Sequence, residues 1–117
     1  MDFNQAVAAH SAWKRTLAGY LAKRDGTLSP ARIALDDQCI LGGWIHGEGR
    51  IYENLPEYSV LMREHLRFHR AAAEVVRRAN LGQSAGEEAN IRSGSEFALA
   101  STAIVLAIMD MQKHQAE

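Results

Sequence analysis

Cysteine is nearly absent from this chain. Cys39 is the single one in 117 residues, so no disulfide can form within it. A lone thiol suits a reducing compartment, where it serves as a metal ligand, a reactive group or a small core residue. Proline is almost as scarce, with Pro30 and Pro56 the two examples, and 47% of the residues are hydrophobic. That composition excludes a disordered chain. An excess of charge of one sign is also missing, since 13 basic residues face 14 acidic ones for a net charge of −1. The balance excludes the basic stripe of a nucleic-acid binder and the polybasic anchor of a membrane-surface protein. The start, Met1-Asp2-Phe3-Asn4-Gln5, lacks the basic and apolar regions of a signal peptide. The longest apolar stretch, from Phe97 to Met109, is too short to span a bilayer. These absences point to a soluble, cytoplasmic protein of one domain over residues 1–117, with no nucleic-acid partner and no membrane insertion.

What is present is helical periodicity. Phe3, Ala6, Val7, Trp13, Leu17, Tyr20 and Leu21 recur at three- and four-residue spacing and predict a helix from Asp2 to Lys23, with His10 on the same stripe. Asp25-Gly26 ends it, and Ser29-Pro30 starts another. Residues 31–46 read as helix in short pieces. Their apolar run from Cys39 to Ile45 contains Gly42 and Gly43, which suggests close packing of a neighbouring helix. Gly47 to Arg50 reads as a flexible turn. A long helix follows from Pro56 to Ala79, its stripe made of Leu61, Met62, Phe68, Ala72, Val75 and Val76, with His65 and His69 on that line. Asn80 to Gly86 reads as a turn, and Glu87 to His114 as the last helix. The fold class is therefore all-α, like a four-helix bundle, with an additional short helix carrying the cysteine. Most sides of the last helix are apolar between Phe97 and Met109. A helix covering one core needs a single apolar stripe, so its second apolar side is expected to meet another copy of the chain.

His65 and His69 are four apart on a predicted helix, one above the other with a rise of about 6 Å, so both imidazoles can reach one ion. By itself that pair is weak evidence, and Cys39 by itself reads as a small core residue. Two buried histidines without partners would be costly, however, and both lie on the apolar stripe. With His10 and Cys39 they offer three nitrogens and one sulfur from three segments. That set suits zinc, which accepts mixed nitrogen and thiolate ligands in a tetrahedron. Calcium and magnesium prefer oxygen. Ligand type alone leaves copper(I) open.

Three elements occur in order: His10-Ser11-Ala12-Trp13-Lys14, Cys39-Ile40-Leu41-Gly42-Gly43-Trp44 and His65-Leu66-Arg67-Phe68-His69. They resemble the His-x-x-Trp, Cys-x-[Leu/Phe]-Gly-x-Trp and His-x-x-x-His elements of the chemoreceptor zinc-binding domain, a bacterial sensory module. The resemblance covers roughly residues 3 to 110. It implies that His10, Cys39, His65 and His69 bind zinc, and that the domain takes part in chemotaxis or cyclic-di-GMP control. Trp13, Gly42 and Trp44 belong to the motifs as structural residues beside the site. Members of that family usually sit in chains with methyl-accepting signalling or diguanylate cyclase domains. No such domain is present here, and the start at Met1 favours a stand-alone chain acting through a signalling partner.

Two signals follow from this reading: zinc availability, and oxidants such as hypochlorous acid acting on a zinc-bound Cys39 thiolate. A zinc-stabilised dimerisation module without a sensory role is the alternative. A zinc hydrolase fits less well, because four protein ligands leave no position for water, and Glu64 is expected to face solvent or pair with Arg63 or Arg67. A di-iron bundle lacks its Glu-x-x-His pairs. No catalytic residues are assigned. His46 and His114 match no motif and are placed outside the site.

Overall fold

Asp2 opens the first helix of the computed structural model, its Oδ1 accepting from the amides of Asn4 (2.9 Å) and Gln5 (3.2 Å). The structure describes residues 2–23, 26–35, 39–81 and 94–115. Among these the order is α1 (Phe3–Ser11), α2 (Trp13–Lys23), α3 (Pro30–Ile33), α4 (Ile40–Ile45), a 3-10 helix (Glu48–Tyr52), α5 (Pro56–Asn80) and α6 (Glu96–Gln115), with no strand. The all-α expectation holds.

The single helix expected from Asp2 to Lys23 is instead interrupted at Ala12. Its backbone stays right-handed there (φ −71°, ψ −17°), and Ala12 N–H still bonds the Ala8 carbonyl at 3.0 Å. Side-chain donors load one carbonyl before the break and the carbonyl of Ala12 itself. His10 Nδ1 lies 2.7 Å from the Ala6 oxygen, and the Thr16 hydroxyl bonds the Ala12 oxygen at 3.3 Å. Such back-bonding competes with the helical ladder and bends it.

Gly26 has φ 71°, in the left-handed region that glycine tolerates, while Asp25, the other residue of the expected helix end, lies outside the described residues. Ser29 caps α3 through Arg32 N–H, with Pro30 in the first turn. Gly43 is exposed, and a Cβ there would meet nothing within 4 Å, so close helix packing does not explain it. The tight approaches fall at Gly47, where a Cβ would lie 2.8 Å from the Gly43 oxygen, and at Gly49. That crowding accompanies a turn of 3-10 helix from Glu48, in place of the flexible turn expected over 47–50.

Helix α5 is the spine. Its buried line includes Tyr58, Leu61, His65, Phe68, His69, Ala72, Val75, Val76 and Ala79. Met62, expected on that line, is exposed. Each fully buried large side chain, such as Phe68 or Ile104, contributes about 1.5–3 kcal/mol. Tyr20 OH donates to Asn80 Oδ1, and Asn80 Nδ2 donates to the Leu28 carbonyl at 3.2 Å, pinning α2 and the following loop to the end of α5.

The last helix starts at Glu96 rather than Glu87. Gly94 has φ 90°, outside the helical region, and the Ser95 hydroxyl accepts from Ala98 N–H at 3.1 Å as the cap. The expected turn over 82–86 and helical residues 87–93 lie outside the described residues. Helix α6 packs on α5 and α1, burying Phe97, Ala100, Ile104, Ala107, Ile108 and Met111, and leaves Leu99, Leu106 and Met109 about half exposed.

Candidate metal centre

Three elements bring four donor side chains together. His10 comes from α1, His65 and His69 stand a turn apart on α5, and Cys39 precedes α4 as its cap. The three imidazoles are buried, and Cys39 is half-buried. One ligand atom from each residue lies within 4.8 Å of the others. No other such group of histidine, cysteine and carboxylate side chains occurs among the described residues.

Backbone carbonyls orient two of the imidazoles. His10 Nδ1 donates to Ala6 O at 2.7 Å, and His69 Nδ1 donates to Ile33 O at 2.9 Å. A carbonyl only accepts, so Nδ1 carries the proton on both rings and each Nε2 presents a bare lone pair. Such second bonds fix the ring and tautomer of a metal-binding histidine. His65 Nε2 lies 3.0 Å from His69 Nε2 and 3.2 Å from Cys39 Sγ, which is 3.7 Å from His69 Nε2. A tetrahedron with bonds of about 2.05 Å to nitrogen and 2.3 Å to sulfur has N–N edges of about 3.3 Å and N–S edges of about 3.6 Å. The two N–S separations bracket their edge, the N–N separation is slightly short of its own, and His10 lies within 4.8 Å, so the residues present fit a zinc ion.

Electrostatics agree with that fit. Burial pushes the His65 pKa down from 6.5 to about 3, assisted by the charges of His69, His10 and His46. Burial also lowers His10, partly offset by its bond to Ala6 and reinforced by His69. Burial thus favours neutral imidazoles at His65 and His10, the protonation state that a metal requires. His65 Nδ1 is buried without a hydrogen-bond partner. On the sulfur side, Gly42 N–H donates to Cys39 Sγ at 3.3 Å, which fixes the sulfur at the start of α4.

Aromatic rings wall the cluster. Phe68 packs edge-on against His10 (5.1 Å between centroids) and His69 (5.7 Å), with Trp13 behind it at 6.5 Å. Trp44 is buried against Phe3 and Tyr52. Gly42 is buried and supplies the amide that faces the sulfur.

Glu64 does not face the cluster as a free base. Its Oε1 pairs with Arg63 at 3.4 Å and its Oε2 with Arg67 at 3.2 Å. His114 lies away from the cluster, paired with Glu57 at 3.1 Å. His46 is not among the four donors, yet its charge reaches His65, an influence that no motif signalled. The Ala6 and Ile33 carbonyls also had no sequence signal, because any residue supplies one.

No helix among the described residues is long and apolar enough to cross a membrane. No curated protein and no solved structure matches the chain. The model of the chemoreceptor zinc-binding domain matches residues 10–76, a span containing all four donors and more than half of the 117 residues. The chain belongs to the chemoreceptor zinc-binding domain family, a regulatory rather than catalytic family whose cofactor is zinc.

Proposed function

We propose that the chain is a zinc-dependent sensory module of one domain, in which His10, Cys39, His65 and His69 hold a single zinc ion. The observation that carries this is the convergence of four donors within 4.8 Å of one another, with Cys39, His65 and His69 close to tetrahedral edge lengths. When bound, zinc holds Cys39 as thiolate and ties three segments of the bundle together. The chain's own residues then set the response. His10 and His69 arrive oriented by Ala6 and Ile33, and α5 presents His65 and His69 from a rigid helix. Cys39, half-buried on a short segment, is the donor open to attack.

Two inputs act on this arrangement. Low free zinc empties the site. Hypochlorous acid converts the Cys39 thiolate to sulfenic acid with release of chloride, weakening its hold on zinc. Because a thiolate site persists under reducing conditions, the module is placed in the cytoplasm. Its output passes to a signalling partner, in chemotaxis or cyclic-di-GMP control, from a homodimer formed by the exposed Leu99, Leu106 and Met109 of α6. Hypochlorite treatment of the zinc-loaded protein, followed with a chromogenic chelator, tests the oxidant arm. Fast zinc release from wild type and slow release from a zinc-loaded Cys39→Ser variant is expected. Equal rates would remove Cys39 as the sensor.

The exposed α6 face favours a second reading, in which zinc only stabilises a dimerisation module. It predicts that partner binding is the same in the zinc-loaded and zinc-free proteins wherever the dimer persists.

A further inference from the structure

Helix α4 is six residues long and is anchored at both ends by unlike attachments. At its start, Cys39 caps the helix and reaches His65 and His69. At its far end, Trp44 is 7% exposed and lies edge-on to Phe3 of α1, with ring centroids 5.2 Å apart and planes at 78°. Tyr52 of the 3-10 helix covers it at 6.0 Å. The carbonyl of the next residue, Ile45, accepts from the buried hydroxyl of Tyr58 in the first turns of α5. Gly49 completes the enclosure, since a Cβ there would lie 2.7 Å from Trp44 Cε3 and 2.8 Å from its carbonyl oxygen.

These contacts gather at one end of the bundle. Gln112 near the end of α6 reaches Asn4 near the start of α1 at 3.5 Å, and His114 meets Glu57 at the start of α5 at 3.1 Å. A helix of six residues is too short to hold its own shape in water. Its position is therefore set by its anchors, and a change at one is felt at the other. The bulk of α5 and α6 lacks this dependence, because those helices bury long apolar lines against each other.

We infer that α4 couples the metal centre to the end of the bundle formed by the start of α1, the start of α5 and the end of α6, with Trp44 as the coupling residue. The inference rests on the four-residue zinc site proposed above and adds where its occupancy is read out. With Cys39 held, Trp44 stays seated between Phe3 and Tyr52. With Cys39 released, α4 loses its fixed start, Trp44 loosens, and the first turns of α1 lose the ring they pack on. Coupling between two sites is reciprocal, so a disturbance at the Trp44 end weakens zinc binding without touching a ligand.

The test uses the zinc-loaded full chain carrying Trp13→Phe, which leaves Trp44 as the sole tryptophan. Zinc is withdrawn with a strong chelator while emission and amide hydrogen exchange are followed. The expected result is a red shift of Trp44 emission and several-fold faster exchange over residues 3–9, with protection at Ile104–Ile108 retained. Gly49→Ala, added to the same protein, is expected to shift the emission and raise the zinc Kd by threefold or more, read by chelator competition. If that variant does not fold, Phe3→Leu is read in the same way. The proposal is overturned if zinc leaves while emission and exchange over 3–9 stay as they were. It is equally overturned if protection is lost throughout the bundle, or if the displaced Trp44 leaves the zinc Kd at its original value. A protein that neither contains zinc nor takes it up overturns the four-ligand reading instead, and the emission experiment then has no zinc to withdraw.

Discussion

His69 holds Ile33: its Nδ1 donates to that carbonyl at 2.9 Å while its Nε2 faces His65 and Cys39. One imidazole thus joins α3 to α5 and contributes to the metal cluster. His69→Ala removes both roles. Loss of a ligand's hydrogen-bonding partner alone costs about 10–100-fold in metal affinity, and loss of the ligand is expected to cost more. Chelator competition on His69→Ala, with His46→Ala as a control outside the four donors, checks this. Equal affinities in the two variants would contradict it.

Acid is expected to destabilise the fold through His65. The folded chain resists protonation there down to about pH 3, whereas the unfolded chain takes the proton near 6.5. The unfolded state therefore binds more protons between those values. The stabilisation is fully present above about pH 6.5 and drains away as pH falls toward 3, and the same protons compete with zinc for the imidazole nitrogens. Urea midpoints measured from about pH 7 to about pH 4 should fall continuously. A midpoint that stays flat over this range in wild type, and matches that of His65→Gln, would contradict the assignment.

The helical frame and the four donors were legible because both are written in side-chain identity and spacing. A 3.6-residue period finds α5, and residues 65 and 69 necessarily share a face. What the sequence did not disclose depends on backbone geometry and tertiary contact. The Ala6 and Ile33 carbonyls orient His10 and His69, yet any residue could supply them. The break at Ala12 arises where side-chain donors load the carbonyls of Ala6 and of Ala12 itself. The start of α6 is another case: the apolar run after Gly94 extends the predicted helix back to Glu87, while the positive φ of Gly94 and the Ser95 cap are backbone features that periodicity does not show. The close packing that Gly43 suggests belongs in the structure to Gly47 and Gly49, since glycine content does not say which position lies against a neighbour.

Tyr58 is 4% exposed, and its hydroxyl donates to the Ile45 carbonyl. Tyr58→Phe removes that bond with little change of shape, a loss of about 1 kcal/mol. A domain of this size should then melt about 4 °C lower. Calorimetry checks this, and an unchanged Tm would mean that the bond contributes nothing net.

Leu99, Leu106 and Met109 form an exposed apolar line on α6, at 52%, 56% and 48%. A self-complementary pairing of two copies covers it. Light scattering should give a dimer for wild type and a monomer for Leu106→Glu, with helix content by circular dichroism unchanged. A monomeric wild type would overturn the pairing.

Metal content of the purified protein, read with a melting curve before and after a strong chelator, bears most directly on the zinc site. The geometry of His10, Cys39, His65 and His69 predicts one zinc per chain and a clear fall in Tm once it is removed, because binding of a structural zinc contributes to folding itself. A chain that purifies without zinc, takes up none, and melts at the same temperature in chelator would contradict it.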